Sequence, residues 1–157
     1  MEASSETREP TAADIMTANV VTIKEDARMQ DLAQLMAEHK ISGVPVVDDQ
    51  NLVVGMVTEG DMVEMDADIH FPHYINLFDS YIFLESMKKF DERVRHAAAV
   101  SVRDIMTRDI ETVQKDTPLH EIATLMSDKE VNRLPVLDGD VLVGIVTRAD
   151  VVRAMAG

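Results

Sequence analysis

Hydrophobic positions along the chain fall into short blocks of two kinds, and the order of those blocks occurs twice. In one kind, Met29, Leu32, Ala33, Leu35 and Met36 recur at spacings of three and four, with Leu119, Ile122, Ala123, Leu125 and Met126 as their counterpart. That spacing lays one apolar stripe along a helix of about a dozen residues. The other kind is a continuous run rich in β-branched residues, which reads as a short strand. Val20-Val21-Thr22-Ile23 precedes the first helix, Val44-Pro45-Val46-Val47 and Leu134-Pro135-Val136-Leu137 follow the helices, and Leu52 to Val57 and Val141 to Val146 come next. Asp48-Asp49-Gln50-Asn51 and Asp138-Gly139-Asp140 have the composition of hairpin turns. Asp26 and Asp116 stand where a helix would be capped, and the prolines suit an edge or the start of a strand. A second helix is predicted after Thr58 and after Thr147.

The recurrence is a true internal repeat. Asp14-Ile15-Met16-Thr17 returns as Asp104-Ile105-Met106-Thr107, and residues 14–48 against 104–138 hold 12 identities in 35 positions. After a slip of one residue in the turn, 52–63 against 141–152 hold 6 in 12. Each copy reads β-α-β-β-α. A unit of roughly 55 residues buries too little surface to be comfortable alone, so two copies packing together is the expected solution. The predicted organisation is an acidic tail over 1–10, repeat 1 over 11–65, an insert over 66–100 and repeat 2 over 101–157, in an α+β fold. All six aromatics, from Phe71 to Phe90, lie in the insert. There Tyr74, Ile75, Phe78, Tyr81 and Ile82 follow a helical period, and Lys88 to Ala99 also read as helix, so the insert is expected to be a helical hairpin.

Charge narrows the partners. The chain of 157 residues carries 15 basic and 29 acidic groups, a net of −14, which disfavours nucleic acid and anionic membranes. The charge is uneven: residues 11–65 hold 3 basic and 10 acidic groups, whereas 101–154 hold 7 and 10. There is no cysteine, so thiolate chemistry, disulfides and cysteine zinc sites are excluded. Apolar runs are far shorter than a bilayer span, and Met1 to Pro10 lacks the apolar core of a secretory leader. A cytoplasmic protein is the expectation.

One motif carries chemistry in both copies. Gly55-Met56-Val57-Thr58-Glu59-Gly60-Asp61 and Gly144-Ile145-Val146-Thr147-Arg148-Ala149-Asp150 each set a Thr and an Asp three residues apart at a strand-to-helix turn. Such a pair is close to a capping box, with a purely structural role. The same turn also offers free amides and partial positive charge to an anion, a hydroxyl to a phosphate and a carboxylate to a ribose diol. The sequence leaves both readings open.

An Asp-Ile-Met-Thr opening, a Val-Pro-Val or Leu-Pro-Val strand and a Gly-x-Val-Thr-x-x-Asp close, present twice, resemble a tandem pair of CBS domains, the Bateman module. The resemblance covers the two repeats and not the insert. It implies two repeats packed about a pseudo-twofold axis, adenosyl ligands in two clefts between them, and pairing of modules into homodimers. It also implies that each site crosses the repeats. The first would combine Thr17, Val20, Gly43, Val44 and Pro45 with Thr147 and Asp150, and the second Thr107, Ile110, Arg133, Leu134 and Pro135 with Thr58 and Asp61. The adenine would lie against apolar groups such as Val44 or Leu134 and the opening segment. Asp61 or Asp150 would hold the ribose diol, and Thr58 or Thr147 would face the phosphate. Arg148 in the first site and Arg133 in the second are the phosphate-binding arginines this assignment supplies.

The expected function is therefore a non-catalytic regulatory module that binds AMP, ADP, ATP or a related adenosyl ligand and needs no cofactor. It would signal to a separate effector protein, with the aromatic insert as the first contact surface to consider. A ligand-free assembly module that mediates dimerisation is the alternative. An enzyme is disfavoured because no nucleophile–base pair or paired carboxylates stand out. Asp66, Asp68, His70 and His73 could in principle hold a metal, but Pro72 interrupts the run and no metal site is predicted. His39, His96 and His120 sit away from the apolar stripes and are given no role.

Overall fold

The computed structural model describes residues 7–69, 74–77, 80–83 and 100–157. The first repeat forms α1 (Ala12–Ile15), β1 (Ile23–Lys24), α2 (Met29–His39), β2 (Gly43–Val47), β3 (Val53–Thr58) and α3 (Glu59–Ile69). Two strands of the insert follow, β4 (Tyr74–Leu77) and β5 (Ser80–Phe83). The second repeat forms α4 (Val102–Ile105), β6 (Val113–Gln114), α5 (Leu119–Asp128), β7 (Arg133–Asp138), β8 (Val141–Thr147) and α6 (Arg148–Ala156). The α+β class is the one the sequence predicts, and each repeat places an unpredicted four-residue helix, α1 or α4, before the expected β-α-β-β-α order. Each repeat contributes a three-stranded sheet, ordered β1-β2-β3 and β6-β7-β8. Among the described residues no helix is long and apolar enough to cross a membrane.

The chain folds as two compact units, and these cut across the repeats. One comprises Met1–Val21, Gln50–Val53 and Asp109–Gly157, the other Thr22–Asp49 and Val54–Arg108. Each opening segment thus belongs with the body of the other copy. In the first unit Ala12 N and Ala13 N donate to Thr117 O and Lys115 O, both at 2.8 Å. Thr17 and Ile145 exchange backbone bonds of 2.9 and 3.0 Å. The second unit repeats this scheme: Val102 N and Arg103 N donate to Ala27 O and Glu25 O at 2.9 Å, while Thr107 and Met56 exchange bonds of 2.9 and 3.0 Å. The cores follow the same division. Ala12 is fully buried with Val113, Ile122, Met126, Leu134, Val136, Val146 and Val151. Val102 is fully buried with Ile23, Leu32, Met36, Val44, Val46 and Val57. The stripe residues that reach these cores are Leu32 and Met36 on α2, and Ile122 and Met126 on α5.

This exchange moves the helix starts. Asp26 and Asp116 do not cap α2 and α5, which begin three residues later. Their first free amides are satisfied instead by the opening segments, Met29 N donating to Val100 O at 3.2 Å and Leu119 N to Pro10 O at 2.8 Å. Glu9 adds a side-chain cap, its Oε1 accepting from His120 N at 2.8 Å and lying 2.7 Å from His120 Nδ1. His120 accordingly ties down the segment before α1, a role the helical pattern did not suggest. Val20 and Val21 also lie outside strand structure: β1 is only Ile23–Lys24, because the chain passes from one unit to the other just before it.

The prolines sit in central strands rather than at edges. Leu137 O accepts from Lys115 N, and Val47 O from Glu25 N, so Pro135 and Pro45, two residues earlier, turn toward β6 and β1. Those partners begin only opposite Val136 and Val46. The missing proline amides therefore fall where no partner strand has begun, which removes the usual objection to a central proline. The turns match expectation, with Gly139 at φ 64° and Asn51 at φ 61° in the left-handed region.

In the insert the helical expectation for 74–82 is corrected. β4 and β5 pair antiparallel, with Tyr74 opposite Phe83 and Leu77 opposite Ser80. Tyr, Ile and Phe favour extended backbone, and the cross-strand pairing overrides the weak 3.6 period. The helix expected over Lys88 to Ala99, with His96, lies outside the described residues.

The docking of the opening segments leaves little space. A Cβ on Gly55 would lie 2.7 Å from the backbone oxygen of Thr107. Gly55→Ala should lower the unfolding free energy by about 1–3 kcal/mol in chemical denaturation, because that oxygen belongs to the Met56–Thr107 pair and cannot rotate away. The caps of the opening helices should be visible in the acid limb. Ser101 N and Oγ donate to Asp104 Oδ2 at 2.9 and 3.0 Å, the backbone bond being the larger cause that holds this carboxyl below its ordinary value of 3.8. Its stabilising contribution is complete above the ordinary value and is lost as the pH falls through the lowered one. Asp104→Asn should flatten that part of the stability profile, measured by urea unfolding at stepped acidic pH.

Candidate functional site

The two Thr-x-x-Asp motifs close β3 and β8 and open α3 and α6. A strand ending in Thr turns into a helix here because the hydroxyl and the carboxylate three residues on satisfy each other's neighbouring amides. Thr147 N and Oγ1 donate to Asp150 Oδ2 at 2.8 and 2.9 Å, and Asp150 N donates back to Thr147 Oγ1 at 3.3 Å. Thr58 and Asp61 repeat this with 2.8, 3.1 and 3.3 Å. The capping role is thus fully formed in both motifs. In each motif it uses one carboxylate oxygen, Oδ2.

The opening segments supply the other wall. Pairing of Thr17 with Ile145 extends the β8 edge two residues before Thr147, and it sets the exposed Thr17 side chain near the start of α6. The result is an open recess of about 410 Å³ lined by Ile15, Thr17, Asp150, Arg153 and Ala154. Arg153 Nη2 donates to Asp150 Oδ1 at 2.5 Å; the arginine side chain is 74% exposed and the aspartate's only 10%. Both oxygens of Asp150 therefore have partners, one in the cap and one in the recess. In the second unit Thr107 pairs with Met56 in the same way, two residues before Thr58. Asp61 Oδ1 accepts no hydrogen bond from the described residues.

The structure thus brings Thr17, Thr147 and Asp150 together in one unit, and Thr107, Thr58 and Asp61 in the other. Val20 and Ile110 are half-buried members of the first unit. Arg148 is exposed at the start of α6 and is not among the recess residues. Arg133 is half-buried and stands opposite Thr147 across the β7–β8 ladder. Gly43, Val44 and Pro45 belong to the second unit, Leu134 and Pro135 to the first. Val44 and Leu134 are fully inaccessible and packed in the two cores, with Pro45 and Pro135 equally buried. Their side chains pack within the two cores. The apolar surface of the recess comes from Ile15 and Ala154. Arg153 is the residue the sequence reading missed, although its i+3 spacing from Asp150 on a helix was a readable signal. Asp66, Asp68, His70 and His73 fall where side chains lie outside the described residues. Among those that are described, no cluster suited to a metal occurs.

The model of the CBS domain family matches residues 12–68 and 102–157. Of curated proteins, MJ1426 of Methanocaldococcus jannaschii is 32% identical over 150 residues, which cover 90% of this chain and 89% of that protein. The chloroplastic CBS domain-containing protein CBSX2 of Arabidopsis thaliana is 32% identical over 149 residues, which are 92% of this chain but only 63% of CBSX2. Among solved structures, CBSX2 in complex with AMP superposes with a TM-score of 0.70 at 28% identity, covering 94% of this chain and 96% of that one. The tandem pair inferred from the internal repeat is the arrangement these matches display.

The caps themselves can be tested without any ligand. Thr147→Ala, which removes both the acceptor for Asp150 N and a donor to Asp150, should cost about 0.5–2 kcal/mol of stability in urea unfolding, and Thr147→Ser should stay near the parent.

Proposed function

Since the chain belongs to the CBS domain family, of which it carries two copies, we propose that it is a non-catalytic regulatory module that binds AMP, ADP, ATP or a related adenosyl ligand. The observation that carries this reading is the recess in which Thr17, from one repeat, meets Asp150 and Arg153, from the other. Asp150 suits a ribose diol, Thr17 and Thr147 suit phosphate oxygens, and the α6 N-terminus supplies partial positive charge beside them. Thr107, Thr58 and Asp61 are the corresponding ligand groups in the second unit. The AMP complex of CBSX2 supports the choice of ligand class.

Signalling follows from linkage: a ligand shifts the protein between arrangements only as far as it binds one of them more tightly. Homodimerisation and a separate effector protein complete the proposal. A second reading has an observation in its favour, since both Thr-x-x-Asp pairs are already satisfied as caps. On that reading the module binds nothing small and acts only in assembly.

A thermal-shift scan with AMP, ATP, NAD and S-adenosylmethionine separates the two. A ligand at 100 times its dissociation constant should add about 2.7 kcal/mol, a plain rise in Tm. Isothermal calorimetry on Asp61→Ala and Asp150→Ala should show the loss of heat site by site. No response from the parent protein to any of the four would overturn the nucleotide reading and leave the assembly reading standing.

A further inference from the structure

The two Thr-x-x-Asp motifs are alike in their caps and opposite in the charge around them. Aligned on their aspartates, Arg148 and Arg153 of the first unit correspond to Glu59 and Glu64 of the second. Arg103 and Arg108, on the opening segment of the second unit, both face Glu25, at 3.6 and 3.9 Å. Among the described residues, only the first unit sets an arginine beside Oδ1 of its motif aspartate, and that arginine lines the recess.

We infer that Arg153 makes the Asp150 recess selective for a phosphorylated adenosyl ligand, while Glu64 withholds that selectivity from the Asp61 motif. The inference rests on the nucleotide-binding reading above and names the ligand charge each motif accepts. In the free protein Arg153 covers Asp150 Oδ1, the oxygen a ribose diol would need. Its guanidinium is largely exposed, so solvent screens the pair and little is lost when it opens. A phosphate offers the same guanidinium two parallel charge-assisted bonds. Moving to the phosphate also frees Asp150 Oδ1 for the diol, so the two ends of a nucleoside phosphate are bound cooperatively. An uncharged nucleoside must displace Arg153 without giving it a new partner. At the Asp61 motif the diol oxygen accepts nothing from the described residues, and Glu59 and Glu64 repel a phosphate.

Methyl NMR of the full chain reads the two motifs separately, because Ile15 lines the recess and Ile105 is its counterpart on the other opening segment. Titrations with AMP and with adenosine would be followed in the parent, Arg153→Ala and Arg153→Lys. AMP should move Ile15 at lower concentration than adenosine does. Arg153→Ala should weaken AMP at Ile15 about tenfold while changing adenosine by less than about twofold, and Arg153→Lys should restore part of the difference. Equal weakening of both ligands, or no change in their ratio, overturns the role of Arg153 but leaves the nucleotide reading intact. If neither ligand moves Ile15 or Ile105 in the parent, the nucleotide reading fails and this inference with it. Unchanged circular dichroism of the variants, expected for so exposed a side chain, completes the control.

Discussion

Everything else in this protein depends on the exchange of opening segments. Each repeat leaves the first amide of its helix, one edge of its hairpin strand and one place in its core unsatisfied. The opening segment of the other repeat, its four-residue helix and the residues on either side, fills all three. Ala12 and Val102 enter the cores, Pro10 O and Val100 O take the amides of Leu119 and Met29, and Thr17 and Thr107 pair with Ile145 and Met56. A buried backbone group without a partner costs about as much as a lost hydrogen bond, so neither repeat body is complete without its exchanged segment. The obligatory pairing of repeats, suggested by size alone, thus has a definite structural cause.

The candidate site is a by-product of that exchange. Thr17 lines the recess beside Asp150 because it pairs with Ile145 on the edge of β8. A motif that would be a simple cap in an isolated repeat gains a second wall and an apolar floor. The cap geometry leaves room for the proposed ligand role: Asp150 Oδ2 closes the helix start, while Oδ1 faces Arg153.

Duplication made the two motifs alike, and divergence made them different. The backbone plan, the caps and the close-packed glycines beside Met16 and Met106 are shared. The charged positions around the motif aspartates are not, and the concentration of basic residues in the second repeat is their trace in composition. Surface positions that carry no packing duty were free to change sign, whereas Ala12 and Val102, fully buried, could change only within tight limits of volume.

The amino-acid sequence by itself determined what is local and periodic. The repeat, the helix stripes ending in Leu32, Met36, Ile122 and Met126, the hairpin turns and the Thr-x-x-Asp caps were all legible, because each is written in residues close along the chain. What only the tertiary structure decided involves partners far apart. Helix starts moved because distant carbonyls replaced the expected aspartate caps. Pro45 and Pro135 were admitted to central strands because their neighbours begin one residue later. Val44 and Leu134 were fully buried in the cores, and strand pairing of β4 with β5 overrode a helical period. Arg153 joined the site only because folding set α1 beside α6. Spacing along a chain encodes faces and caps, but which groups an exchanged segment will cover is decided by packing.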